Sequence, residues 1–474
     1  MTATTAPRSL QELLDRVPRI VDHLFANPKG VLRAIVHSFP PDRIPLEFTN
    51  WRDEQRARRE TVALLDQSFH MTNLWVRGRD AQRLVERLGT NRFRRFGPGK
   101  AKQFVACTPE GYVIGDNVLY CLSDSELLFV GGEPVLNWVE YHARTGGEEV
   151  EVERDPLWSQ NATGRRTVYR FQIEGPRAPQ LMAALHGRPL PELPFFHHME
   201  LTLAGLRVRV LRHSMAGVPG FELSGPWDER EALREAIREA GAAFGLQLVG
   251  SFAYLSSGGL ESGWIPRPLP AIYTSPALRP YREWLPATGY EATGALGGSF
   301  YSEVVDDYYL TPFELGLGHL VAFDHDFIGR EALERHARTT RRCKVTLVWH
   351  PEDVTRIVRS VVEPGTIARY LDLPWLHYAS WQYDAVLDPH GNPIGLGLYA
   401  GYSANERAIL TLAVIDHAWS EPGTEVILVW GEDGGGTRSR PWIDLHEPVS
   451  IRATVQPAPI SAAARAYRTR TRST

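Results

Sequence analysis

Leu65-Asp66-Gln67-Ser68-Phe69-His70-Met71, running on through Leu74-Trp75-Val76-Arg77 to Gly78-Arg79-Asp80-Ala81, decides how the chain is read. Leu74, Val76 and their neighbours predict a strand that stops at Gly78. Asp80 predicts a helix N-cap, with Ala81, Leu84, Val85 and Leu88 on one face and Gly89 as the stop. The same alternation continues downstream. Strands are predicted at 103–107, 112–121 and 126–131, a helix from Pro134, and a strand–helix set over 167–187. Strands at 199–213 and 220–224 lead into a helix from Asp228 that carries Leu233, Ala236, Ile237, Ala240 and Phe244 at helical spacing. The class is therefore α+β.

Outward from this core the character changes. Residues 251–312 are rich in Gly, Pro, Ser and aromatics and are read as a long irregular, hence functional, stretch. Asp326 predicts the cap of a helix through Arg330 to His336. From 343 the pattern is all-β (343–349, 384–387, 394–402, 408–416, 424–430 and 449–455), predicting a closing antiparallel barrel or sandwich. At the other end, Ser9 with Glu12 forms a capping-box pattern for a short helical start over 9–25, broken at Pro18. Residues 26–50 hold four prolines and are read as either a connector or a lid. Ala462 to Thr474 is read as a loose tail. The divisions are 1–50, 51–340, 341–456 and 457–474, the second containing two α+β domains.

The bulk numbers narrow the function. The chain has 474 residues, 43% hydrophobic and 23% charged, which suits a globular protein of several domains. Its 52 basic and 56 acidic residues leave a net charge of −4, without the basic excess that nucleic-acid binding needs. No apolar run is long enough to span a bilayer, and Met1 to Arg8 lacks the layout of a secretion signal. Cys107, Cys121 and Cys343 form no CxxC pair, which fits a reducing, cytoplasmic setting. Gly395, Gly397 and Gly401 have the wrong spacing for a dinucleotide loop, and Gly97-Pro98-Gly99-Lys100 is not a phosphate loop. GxSxG and HExxH are absent. His197-His198 and Asp324-His325-Asp326 are read as surface histidines and a helix cap, so no metal is expected. No haem, flavin or iron motif is visible.

Several segments in order resemble the glycine-cleavage T-protein (aminomethyltransferase) superfamily: 65–71 with 78–81, Gly111-Tyr112-Val113-Ile114-Gly115-Asp116, Pro219-Gly220-Phe221-Glu222, Pro312-Phe313-Glu314-Leu315-Gly316-Leu317-Gly318, and Asp326-Phe327-Ile328-Gly329-Arg330. Longer strings resemble the vanillate and 3-O-methylgallate O-demethylases within it. These are Phe48-Thr49-Asn50-Trp51-Arg52, Lys100-Ala101-Lys102-Gln103, Leu260-Glu261-Ser262-Gly263-Trp264-Ile265-Pro266, Leu269-Pro270-Ala271-Ile272-Tyr273-Thr274 and Tyr281-Arg282-Glu283-Trp284-Leu285-Pro286. The resemblance implies a three-domain cloverleaf around a central folate channel. It implies methyl transfer from a small methoxylated aromatic to tetrahydrofolate, with no protein partner required.

It also implies site residues. Glu222 matches the family's pterin-binding Glu. Trp264 and Gln172 match folate contacts, and Asp116 matches the Asp set near the folate nitrogens. Tyr254 matches an active-site tyrosine, and His70 lies in the first motif. Gly132, Phe69 and Ser299 are assigned to the aryl pocket. The chemistry asks for such a set, because a phenolate leaving group, with a phenol pKa of about 10, needs a proton donor beside the ether oxygen. Tyr254 and His70 are the candidates, and which one protonates the oxygen stays open at this point. Acid-processing relatives carry an Arg in a Val-Gly-Arg-x-Pro stretch that here reads Val130-Gly131-Gly132-Glu133-Pro134. The expectation is a neutral, guaiacol-type substrate, or that another Arg serves. A glycine-cleavage aminomethyltransferase, a sulfonium or methylamine demethylase, and a non-catalytic folate scaffold are the competing readings.

Overall fold

The strand Val168–Glu174 shows how the fold makes room for a ligand. Tyr169, Phe171 and Ile173 pack into a hydrophobic cluster with Leu181 and Met182 of the helix Ala178–His186 and Leu233 and Ile237 of the helix Arg230–Gly241. The alternate residues Arg170, Gln172 and Glu174 therefore point to the opposite face of the sheet. That face is also buried, with all three residues at 3% exposure or less. An alternating strand whose polar side lies inside lines a polar interior rather than a surface.

The structure is a computed structural model that describes residues 6–27, 39–40, 42–161, 163–435, 443 and 445–472. Three β bodies carry it. Val168–Glu174 lies third in a six-stranded sheet ordered Leu246–Val249, Val62–Asp66, Val168–Glu174, Gly220–Pro226, Leu206–Arg212 and His198–Leu203. A five-stranded sheet is ordered Lys100–Cys107, Val113–Ser123, Glu126–Gly131, Thr72–Arg77 and Glu151–Asp155. The third is a closed barrel of Arg342–Trp349, Ala408–Asp416, Pro393–Ser403, Asp384–Leu387, Glu425–Trp430 and Val449–Gln456, with every pairing antiparallel. The fold is thus mixed helix and sheet with a C-terminal antiparallel barrel. The loop 67–71 joins the first sheet to the second, so the opening motif sits between the two bodies.

Local differences from the sequence expectations have physical causes. Gly78 does end its strand: it adopts φ +146°, and a Cβ there would sit 2.1 Å from the Glu149 carbonyl oxygen. Asp80, however, makes no side-chain cap; its Oδ2 accepts from the Glu149 N–H at 2.9 Å instead. Asp326 likewise pairs with Arg330 at 2.8 Å, and the helix Arg330–Thr339 starts after Gly329. The stretch read as irregular opens with the helix Ser251–Ser262. Its Ser and Gly content argues against a helix, but nearly every residue is buried, and packing overrides propensity. The helix Pro351–Val362 was also missed between barrel strands. The tail read as loose contains the helix Ala462–Arg472, with Ala464 and Tyr467 buried. Ser9 accepts from the Glu12 N–H at 3.2 Å as its pattern predicts. Part of the segment 26–50 lies outside the described residues.

Candidate active site

On the polar face of the six-stranded sheet, Glu222 stands directly across from Gln172. The Arg170 guanidinium pairs with the Glu222 carboxylate, and the Tyr120 hydroxyl, from the five-stranded sheet, donates to the same oxygen. Burial pushes the Glu222 carboxyl up, but Arg170, His213 and the two hydrogen bonds outweigh it and hold it below the usual range. Glu222 is therefore a carboxylate fixed inside the protein, with Arg170 also donating to Asn73 Oδ1 at 3.2 Å. Gln172 donates to the His213 carbonyl at 2.9 Å and keeps its own carbonyl oxygen unpaired.

The second group gathers round Tyr254, which projects from the helix Ser251–Ser262. His70 Nε2 lies 2.8 Å from the Tyr254 hydroxyl, Gln67 Nε2 donates to it at 3.4 Å, and Met215 Sδ lies 3.8 Å away. Phe39 stacks on His70 with ring centroids 4.6 Å apart and meets Tyr254 edge-on at 5.5 Å. The 26–50 segment thus contributes a ring to this site. Buried Arg166 fixes the His70 loop: it donates to the Ser68 carbonyl at 2.7 Å and the Met71 carbonyl at 2.8 Å, and it pairs with Asp155 at 2.9 Å.

The protonation states separate the two acid candidates. Burial pulls the His70 pKa down to about 3, helped by the charges of Arg267, Arg166 and Arg170. A neutral His70 near pH 7 is a weaker proton source than the sequence reading expects. Burial moves Tyr254 the other way, well above the ordinary phenol value, against a lowering by the Arg58 charge. The Tyr254 hydroxyl keeps its proton, and His70 is the neutral partner that orients it.

Asp116 and Trp264 are also brought together. The Trp264 indole N–H donates to both Asp116 oxygens at 3.1 and 3.2 Å, and Gln103 donates to Asp116 at 2.7 Å. Burial raises the Asp116 carboxyl despite these donors. The Tyr254 group is continuous with the polar face that carries Glu222, since Gln67 also reaches Met215 Sδ at 3.1 Å, and the Met215 N–H donates to Glu174 at 3.2 Å.

The three residues assigned to the aryl pocket do not join this constellation. Phe69 packs edge-on against Trp227 and under Arg230. Ser299 donates to the Val429 carbonyl at 2.7 Å and ties the barrel together. Gly132 sits at the start of the helix Glu133–Thr145, its backbone bonded at both ends to the Asn117 amide at 3.0 and 3.1 Å. Glu133 turns inward to Thr72 and Arg154, both at 2.6 Å, so its charge is neutralised.

Sequence reasoning missed Arg170, Tyr120, Gln67, Glu174, Arg58 and Phe39. The first and fourth carried a signal, the polar alternation Arg170-Phe171-Gln172-Ile173-Glu174. It reads equally as an exposed strand edge until burial is known.

Several buried polar atoms of these groups are left without partners. Gln172 Oε1, Gln67 Oε1, His70 Nδ1, His213 Nδ1 and Arg58 Nη2 all lack one among the described residues. Each such atom costs about 1–3 kcal/mol unless something meets it. A pterin ring, flat and with donors and acceptors alternating along its edge, fits a wall that presents both kinds of atom beside a fixed carboxylate. Among the described residues no cluster of three or more His, Cys, Asp or Glu could hold a metal, and no helix is long and apolar enough to cross a membrane.

Comparison with known proteins places the chain among its relatives. The GCVT N-terminal domain family matches residues 33–265. Syringate O-demethylase of a Sphingobium species is 43% identical over 97% of both chains. Sesamin methylene transferase of a Sinomonas species is 30% identical over 88% of this chain and 94% of its own. The glycine cleavage system aminomethyltransferase T of Bartonella henselae superposes with a TM-score of 0.58, covering 88% of this chain and 91% of that one at 18% identity, and so shares the fold. The chain belongs to the O-demethylase family within the glycine-cleavage T-protein (aminomethyltransferase) superfamily, and is an enzyme of the methyl-transferring kind.

Proposed function

We propose that the protein moves the methyl group of an aryl methyl ether, a methoxyphenol of the guaiacol or vanillate type, to N5 of tetrahydrofolate, giving a phenol and 5-methyltetrahydrofolate. The observation that carries this reading is the hydrogen-bonded pair of Tyr254 and His70 beside a polar wall with unmatched atoms. When bound, the reduced folate supplies a nucleophilic nitrogen that accepts the methyl and sheds one proton. Glu222 and Gln172 hold the pterin edge, and Trp264, tethered by Asp116, packs beside it. Phe39 and the buried walls keep water out. Tyr254 Oη donates its hydrogen bond to the ether oxygen and hands over the proton as the aryl oxygen leaves, with His70 Nε2 holding the phenol in line. Alignment by these groups supplies the proximity term, and the tyrosine supplies the acid term.

The substrate is a small molecule, and no carrier protein is needed. The three free cysteines suit the reducing cytoplasm. Incubation with tetrahydrofolate and a panel of methoxyarenes, without oxygen or NADH, tests the proposal. 5-Methyltetrahydrofolate is the expected product, and its absence across the panel would reject the reading.

Within this reading, the vanillate type, which carries a carboxylate as guaiacol does not, is favoured by Arg267. This exposed arginine adopts φ 57°, and its charge reaches His70, His377, Tyr290 and Tyr399. It stands as the "other Arg" where Gly132 supplies none, and syringate, named for one relative, is such an acid. Comparing guaiacol with vanillate, in the natural protein and in Arg267→Ala, separates the two: only a carboxylate substrate should lose turnover in the variant.

A further inference from the structure

Arg58 is the least explained charge in the interior. It comes from the helix Trp51–Glu60 and is completely buried. Its Nε lies 2.8 Å from Glu174 Oε1, its Nη1 donates to the Ser257 hydroxyl, and its Nη2 has no partner among the described residues. Ser257 is one turn along the same helix from Tyr254, so bonding Ser257 places the guanidinium under the tyrosine. Its Cζ lies 6.0 Å from the Tyr254 ring centroid. A buried ion pair gives little net stability compared with apolar packing, which leaves its presence here unexplained by folding. The pair is also asymmetric toward the tyrosine. Glu174 is held by the Met215 N–H at 3.2 Å, while the cation lies beside the ring.

We infer that Arg58 and Glu174 form a charge pair that sets how readily Tyr254 gives up its proton, making Arg58 a positioning residue that acts through the tyrosine. The inference rests on the proposed demethylation. In that step the Tyr254 O–H bond breaks as the aryl oxygen–methyl bond breaks. The proton goes to the aryl oxygen, and the tyrosinate is restored by the proton that the methyl-accepting nitrogen sheds. The passing negative charge on Tyr254 Oη is met by the Arg58 cation and opposed by Glu174. At an effective dielectric of about 20, one charge some 6 Å away changes the acidity of a phenol by about a hundredfold.

The test measures kcat across methoxyarenes whose leaving phenols differ in acidity, at one pH, in the wild type, Arg58→Lys, Arg58→Gln and Glu174→Gln. A weaker donor makes the rate depend more steeply on the leaving group. Only part of that acidity change is felt in the transition state, so Arg58→Gln should lower kcat about tenfold for the least acidic phenol and by clearly less for the most acidic. Arg58→Lys should restore most of the loss. Glu174→Gln should flatten the dependence, an opposite change that general damage to the fold does not produce. Equal losses across the panel, or shifts of the same sign in Arg58→Gln and Glu174→Gln, would overturn the inference. If Arg58→Gln does not fold, the Glu174→Gln slope alone decides, and an unchanged or steeper slope rejects it. Absence of 5-methyltetrahydrofolate from the wild type would instead reject the demethylase reading itself.

Discussion

Replacing Tyr254 with Phe removes one oxygen and leaves the ring. The ring is held by Phe39 at 5.5 Å and Arg58 at 6.0 Å, contacts that do not involve the hydroxyl. Ligand binding should therefore change little, with KM for both substrates within about threefold of wild type, as expected when an interaction made mainly in the transition state is lost. The hydroxyl itself is bonded by half-buried His70 at 2.8 Å and buried Gln67 at 3.4 Å. Losing it leaves those two groups unmatched, a stability loss of about 1–3 kcal/mol. The chemical step should suffer more. A positioned general acid contributes ~10²–10⁴ in rate, which is a barrier increase of about 3–5 kcal/mol. The assay is anaerobic turnover with tetrahydrofolate and a methoxyarene, product quantified by chromatography, beside denaturant unfolding of the same preparations. A kcat fall of ~10²–10⁴ with a near-constant KM is expected. A Tyr254→Phe enzyme within about threefold of wild-type kcat would show that the tyrosine is not the acid.

Other outcomes follow from the same geometry. Glu222→Gln strands the buried Arg170 charge and should cost about 3–5 kcal/mol of stability along with weaker folate binding by calorimetry; wild-type stability and affinity would contradict the paired site. His70→Ala should lower kcat without moving the pH profile between 6 and 8, because the imidazole, with a pKa near about 3, is already neutral there; loss of a titration in that window would restore histidine as the acid. Stability should also rise with pH between 5 and 6. His70, His142, His198 and His377 have folded values of about 3 to 4, so the unfolded chain binds their protons and the folded chain does not. Glu291 and Asp384, raised to about 7, oppose this by binding protons only when folded. Five histidines held low, His213 among them, outnumber the four carboxylates held high, Asp116 and Glu261 beside those two, so the net sign is a rise with pH, and a denaturation midpoint that falls from pH 5 to 6 would refute it.

Much of the architecture was legible because strands such as Glu425–Trp430 and Val449–Gln456 alternate and turn signals, as at Asp388-Pro389-His390-Gly391-Asn392, separate the barrel strands. What was not legible depended on packing. The helix bearing Tyr254 contains Ser256, Ser257, Gly258 and Gly259, and only burial on nearly all sides keeps it helical. Asp80 and Asp326 look like caps, yet each found a nearer partner in Glu149 and Arg330. At the site, the motifs named Tyr254, His70, Glu222, Gln172, Asp116 and Trp264. They did not reveal that Arg170 neutralises Glu222, that Trp264 binds Asp116, or that burial leaves His70 uncharged. Those facts come from side chains far apart in sequence, 52 residues for Arg170 and Glu222 and 148 for Asp116 and Trp264, and local pattern carries no trace of them.

The most direct measurement follows the methyl group itself. The protein is given a methoxyarene with a deuterated methyl, tetrahydrofolate, and neither oxygen nor an electron donor, and the folate fraction is weighed by mass spectrometry. The account predicts that the intact labelled methyl appears on 5-methyltetrahydrofolate in step with the phenol. Label recovered as formaldehyde, or turnover only when oxygen and a reductant are added, would contradict it.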